Sequence, residues 1–190
     1  MPRPNKSNNY IDNDELKDMV VSYVRLNPHD NGEWLKRYIT TMTTRCQKKP
    51  DKWPAIKDFY DRRTEFYKNR QLSQEDLKEF EIISTKLTKA LYKMADGILV
   101  SLHLILDEEA PDMRNEAVMS GLKYCNRFDE EINTSCFAFM TQTLKNAILL
   151  YVKRRNEEYA DGLIVPEYKL FDTRGVDELG GDALSEDPEE

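Results

Sequence analysis

The chain has 190 residues, 39% hydrophobic and 33% charged, which suits one domain with a broad solvated surface and an optional tail. Its formal charge of −7 is unevenly spread: residues 161–190 hold 10 of the 35 acidic and 2 of the 28 basic residues, leaving 25 and 26 in 1–160. The folded part is thus close to neutral, and the acidic whole-chain balance does not exclude contact with nucleic acid. No apolar run reaches the ~18 residues of a membrane span, and MPRPNKSNN lacks the apolar core of a signal peptide, so a soluble cytoplasmic protein is expected. Cys46, Cys125 and Cys136 form no C-x-x-C and read as reduced thiols.

Residues 1–9 are polar and expected to be loose, and 10–70 form an N-terminal helical part. Asn13, Asp14 and Glu15 open a helix with Leu16, Met19, Val20, Tyr23 and Val24 on one face, and Asn27-Pro28 ends it. Trp34, Leu35, Tyr38, Ile39, Met42 and Cys46 mark a second helix, closed near Lys48-Lys49-Pro50. Pro54 suits the first turn of a third, with Ile56, Phe59, Tyr60, Arg63 and Tyr67 in line. The cations of these helices read as a solvated face, with nucleic-acid contact as the alternative.

Residues 71–160 carry the strongest periodicity. Ser73 and Asp76 have the spacing of a capping box, and Phe80, Ile83, Leu87, Leu91, Met94, Ile98, Leu102 and Ile105 recur at helical steps, with Gly97 a candidate kink or junction. His103 falls within this apolar run and reads as structural. Pro111 begins another helix, with Met113, Ala117, Leu122 and Cys125 as its stripe. Its polar face, Asp112, Asn115, Glu116 and Lys123, suits a charged partner or simply water. In the last helix Phe137, Met140, Leu144, Ala147, Ile148 and Tyr151 share the apolar face. Phe139, Gln142, Asn146 and Lys153 fall opposite, where an aromatic beside two amides and a lysine suits stacking and hydrogen-bonding of bases. No strand alternation, repeat or hairpin signal occurs, so the expected fold class is all-α, a single helical domain.

Catalysis has little support. His29 and His103 lie apart, there is no glycine-rich phosphate loop, G-x-S-x-G or H-E-x-x-H, and Asp107-Glu108-Glu109 reads as a charged loop rather than a metal site. No cofactor, metal or enzymatic activity is expected.

The ordered run Glu116-Ala117-Val118-Met119, Phe128-Asp129, Ala138-Phe139-Met140-Thr141-Gln142, Asn146-Ala147-Ile148 and the basic end resembles region two of bacterial sigma factors. The likeness spans Leu87–Glu157, more loosely Asn9–Val24, and is best for the short late-gene sigma factors of tailed bacteriophages. It implies a sigma region-two-like helical core and a protein in the host bacterial cytoplasm. It also implies that Asp112, Asn115 and Glu116 grip the clamp helices of the core RNA polymerase large subunit. Phe139 would stack at the edge of a melted promoter element, Gln142 and Asn146 would bond base edges, and Lys145, Lys153, Arg154 and Arg155 would neutralise phosphates. Gln142-Thr143 stands where the primary sigma has a tryptophan pair, pointing to an easily opened A·T-rich minus-ten-type element. After Arg155 the chain is expected to be too short for a second DNA-reading domain, so one element and a coactivator are implied.

Residues 161–190 are expected to be a disordered acidic tail. Its apolar islands, Leu163, Ile164, Val165 and Leu170, Phe171, are candidates for docking a replication sliding clamp, as the resemblance implies. The alternative to the whole reading is a helical adaptor that uses the 111–155 hairpin to bind a protein, without DNA.

Overall fold

The computed structural model of the chain describes residues 11–46, 53–130 and 135–160. Their elements are α1 (Asn13–Leu26), α2 (Trp34–Cys46), α3 (Trp53–Asn69), α4 (Gln74–Ser101), α5 (Ala110–Tyr124), a 3-10 turn (Cys125–Arg127) and α6 (Cys136–Ala160). There is no strand among the described residues. Residues 1–9, expected to be loose, and the acidic tail with its islands Leu163-Ile164-Val165 and Leu170-Phe171 lie outside them.

α1 forms where its sequence favours it. Asp14 and Glu15 sit in the first turn and Arg25 in the last, each matching the sign of the helix dipole, and Leu16, Val20, Tyr23 and Val24 are buried. That face packs on α4 and α6, so 13–26 shares one core with the later helices.

α4 begins with the expected capping box. The Asp76 amide donates to Ser73 Oγ at 3.1 Å, and the Ser73 amide donates to the Asp76 carboxylate at 2.8 Å. The Ser73 amide and hydroxyl, both donating to this carboxylate at 2.8 Å, hold the Asp76 carboxyl below its usual range. Gly97 is not a junction of two helices: α4 runs unbroken through it, and a Cβ there would face open space.

The end of α4 differs from the sequence reading. The helix stops at Ser101 instead of continuing to Ile105, and His103 lies outside it in the left-handed region, φ 58°. The His103 amide donates to the Val100 carbonyl at 3.1 Å and the Leu104 amide to the Leu99 carbonyl at 2.8 Å. These are the two bonds of a Schellman C-cap, with Leu104 and Leu99 both buried as its apolar contact. Ile105 and Leu106 are consequently exposed, Leu106 at 93%.

The core is the stack of α4 on α1, α5 and α6. Leu87, Leu91 and Ile98 meet Met113 and Ala117 of α5 and Met140, Leu144 and Ile148 of α6. Each of these leucine, isoleucine and methionine side chains contributes about 1.5–3 kcal/mol by leaving water. Gly121 lets α5 close on its neighbours, since a Cβ there would lie 3.0 Å from Leu144 Cδ2 and 3.1 Å from Leu91 Cδ1. α5 ends four residues before Phe128, and the 3-10 turn takes over.

α2 and α3 form a second, smaller layer. Tyr38 and Phe59 stack edge to face at 5.4 Å, with Trp34 6.2 Å from Phe59. Polar bonds bind α3 to the bundle: Arg62 to the buried Asp129 carboxylate at 2.9 Å, and Arg63 to the Phe128 carbonyl at 2.8 Å. Tyr67 donates to Asp30 at 2.6 Å, while the other Asp30 oxygen accepts the Gly32 amide at 3.1 Å. Gly32 needs its missing Cβ twice over, for φ 76° and because the Tyr67 ring would lie 2.6 Å from it.

Candidate functional site

α5 and α6 pack on each other over most of their length and carry every site residue expected from the sequence except the tail islands. α6 is started by Ser135, whose hydroxyl accepts the Ala138 amide at 3.2 Å. Asn13 at the start of α1 accepts both the Ser135 hydroxyl and the Phe137 amide at 3.0 Å, fixing where α6 enters. Of the expected apolar face, Met140, Leu144, Ala147 and Ile148 are buried, and Phe137 and Tyr151 flank them half-buried. Cys136 and Val152 are also buried.

Phe139 corrects the wheel. It is half-buried rather than fully turned to solvent, and its ring lies 5.6 Å from that of the buried Phe128. The contact arises because the chain after α5 folds back over the start of α6, which a single-helix projection omits. The remaining surface of the ring is what a base would meet.

Gln142 is exposed and donates to the Asn146 carboxamide at 2.6 Å, so the two amides form an i, i+4 pair at the surface. Breaking such an exposed bond costs about 1 kcal/mol. Lys145 is half-buried and Lys153 exposed. The two arginines are placed otherwise than the sequence suggests. Arg154 pairs with Glu116 of α5 at 3.1 Å. Arg155 reaches both oxygens of Asp107 at 2.9 and 3.0 Å and lies 3.6 Å from Glu109. Arg155 and Asp107 are only 15% and 16% exposed. These guanidiniums are engaged within the fold, and Lys153 is the open cation at this end of α6.

On α5, Asp112 is exposed and Asn115 accepts the Tyr92 hydroxyl of α4 at 2.9 Å. Glu116 thus joins two residue sets that the sequence treats separately, because its partner is Arg154. Beside it lies a cleft of about 570 Å³, bordered by Asn27, His29, Glu116, Met119, Lys123 and Leu150. Sequence reading missed this cleft. Its one visible signal is Met119, off the apolar stripe and 65% exposed.

Burial pushes the Cys125 and Cys136 thiols up, that of Cys136 to about 12, so neither is a thiolate at neutral pH. The Cys46 side chain lies outside the described part. Among the described residues no three His, Cys, Asp or Glu side chains are grouped to hold a metal ion, and no helix is long and apolar enough to cross a membrane. Comparison with protein-family profiles, with curated proteins and with solved structures gives no match.

Proposed function

We propose that this chain is a sigma-type factor of the late-gene phage kind that directs core RNA polymerase to an A·T-rich minus-ten-type element. α5 docks on the clamp helices of the polymerase large subunit through Asp112, Asn115 and Glu116. α6 meets the opened DNA through Phe139, Gln142, Asn146 and Lys153, with Lys145 beside them. The chemistry is binding and melting, with no catalytic step by this chain.

The observation that carries the reading is the α5–α6 hairpin itself. It is one packed unit with Asp112 and Asn115 exposed on one helix and Gln142 exposed beside a partly open Phe139 on the other. Stacking one base returns about 1–3 kcal/mol, which roughly offsets the cost of extruding it. A single half-open ring therefore works only with its neighbours and with an easily opened element. The late-gene setting, the host cytoplasm, a coactivator and a sliding clamp follow from the resemblance alone.

The second reading, a helical adaptor without DNA contact, is favoured by the ion pairs of Arg154 and Arg155, which remove two cations from α6. Run-off transcription with purified core polymerase on an A·T-rich promoter library separates the two. The sigma reading expects initiation that depends on this chain, is weakened by Phe139→Ala on linear templates and partly recovers on negatively supercoiled ones. Co-elution with core polymerase but no initiation supports the adaptor. The exchange Glu116→Arg with Arg154→Glu keeps the ion pair and reverses the docking charge. It should fold like the parent and bind core weakly, and undiminished binding would remove Glu116 from the interface.

A further inference from the structure

From Trp34 through Pro50 the chain carries five Lys/Arg and no Asp/Glu. In the described part of this stretch Lys36 and Arg37 are exposed, and Thr40, Thr41 and Thr44 continue the same helical stripe. The Thr40 and Thr44 hydroxyls donate to carbonyls one turn back, which leaves a low, uncharged surface beside the two cations. The opposite side of α2 is held down by Trp34 and Tyr38 against Phe59, and α3 is in turn anchored by Arg62, Arg63 and Tyr67. The stripe is therefore a fixed face of the molecule. Several cations elsewhere are paired with acids, as in Lys17–Glu130, Arg114–Asp96 and Arg155–Asp107. Lys36 and Arg37 face solvent with no acid in the first turn of their helix.

We propose that the outer face of α2, led by Lys36 and Arg37, binds the phosphate backbone of double-stranded DNA without regard to sequence. Charge complementarity selects the occupant: a polyanion of regular spacing gains from a helix face that carries two cations and no acid after the exposed Glu33 at its start, and short threonines let a phosphate strand approach closely. Sequence-independent binding of this kind comes from releasing the counterions that the phosphates had condensed. The basic run continues in sequence with Arg45, Lys48 and Lys49, whose side chains lie outside the described part. This inference goes beyond the promoter reading and does not depend on it, because it uses neither polymerase nor α6.

The test is fluorescence anisotropy of the full chain with labelled 20-base-pair duplexes of unrelated sequence, titrated from 50 to 200 mM salt. The expected result is similar affinity for each duplex, falling with salt. Lys36→Gln with Arg37→Gln should weaken binding at least about tenfold at 50 mM and reduce the steepness of the log–log salt slope by about 2. The charge-matched control Lys86→Gln with Lys89→Gln, on the exposed side of α4, should stay within about twofold of the parent. Circular dichroism confirms that both variants keep their helices. No duplex binding by the parent, or equal losses in the two variants, overturns the proposal. So does equal or tighter capture by anionic phospholipid vesicles than by duplex DNA.

Discussion

Arg155 separates a structural from a nucleic-acid role by magnitude. In the fold its guanidinium bridges both Asp107 oxygens at 2.9 and 3.0 Å, with Glu109 at 3.6 Å. Asp107 also accepts the Glu109 amide at 2.9 Å, tying the turn before α5 to the far end of α6. At 15% and 16% exposure the pair is largely shielded from water. Bonds between charged groups contribute about 1.5–3 kcal/mol, and breaking a fully buried pair costs about 3–5 kcal/mol. Asp107 keeps its amide donor, so Arg155→Met, which retains the apolar stem, should cost about 2 kcal/mol. Urea unfolding at an m-value of about 2 kcal/mol/M would show a midpoint lowered by about 1 M. Combining it with Asp107→Asn should recover part of the loss, giving a coupling of about 1–2 kcal/mol. Arg154→Met, from a pair 42% exposed on each side, should cost less than about 1 kcal/mol because water and salt screen it. An Arg155→Met protein within about 0.5 kcal/mol of the parent would refute this reasoning, since that is what an open surface arginine costs.

Three further outcomes follow from the backbone, the packing and the thiols. His103→Gly should raise stability by about 1 kcal/mol in thermal unfolding, because a left-handed L-residue costs about 1–2 kcal/mol that glycine avoids, whereas His103→Ala should gain nothing. Gly121→Val should lose about 1–3 kcal/mol by crowding Leu144 and Leu91, while Gly97→Ala, with no atom within 4 Å of the new methyl, should gain up to about 1 kcal/mol in the same assay. The buried thiols keep their protons in the fold above their ordinary value of 9.0, so stability is full below about pH 9 and falls above it. The loss is about 1.4 kcal/mol per thiol per pH unit, and urea curves at pH 8 and 10 should lose that slope in a Cys125→Ala/Cys136→Ala protein.

The helices were legible because their cores are local. Leu16, Val20 and Val24, or Met140, Leu144 and Ile148, repeat at three and four residues and are buried as that spacing requires. The Ser73–Asp76 capping box is likewise a short-range signal, and its bonds are present. The end of α4 was not legible. Leu102 and Ile105 keep the period, and no glycine stands at position 103 to announce a Schellman cap. A histidine takes the left-handed conformation there because Leu104 is drawn back onto the core beside Leu99. Tertiary burial of one leucine outweighs a local backbone preference of one or two kcal/mol.

The site divides along the same line. That Gln142 is exposed and Leu144 buried follows from the rotation of one helix, and both are so placed. What Phe139 touches depends on Phe128, eleven positions earlier and beyond a turn. What Arg154 and Arg155 do depends on acids 38 and 48 positions away. A helical wheel assigns a direction to a side chain but not a partner, so it counts every outward arginine as available. The pairing of Glu116 with Arg154 has a consequence for any charge reversal in this region. A substitution at Glu116 alone frees a guanidinium on α6, which adds a cation where DNA is proposed to lie while removing an acid where polymerase is proposed to dock. The two effects oppose each other in a transcription assay, and a near-normal rate from the single variant would conceal both. The exchanged pair leaves no guanidinium free on α6, and its binding to core polymerase, measured without DNA, reports on docking by itself.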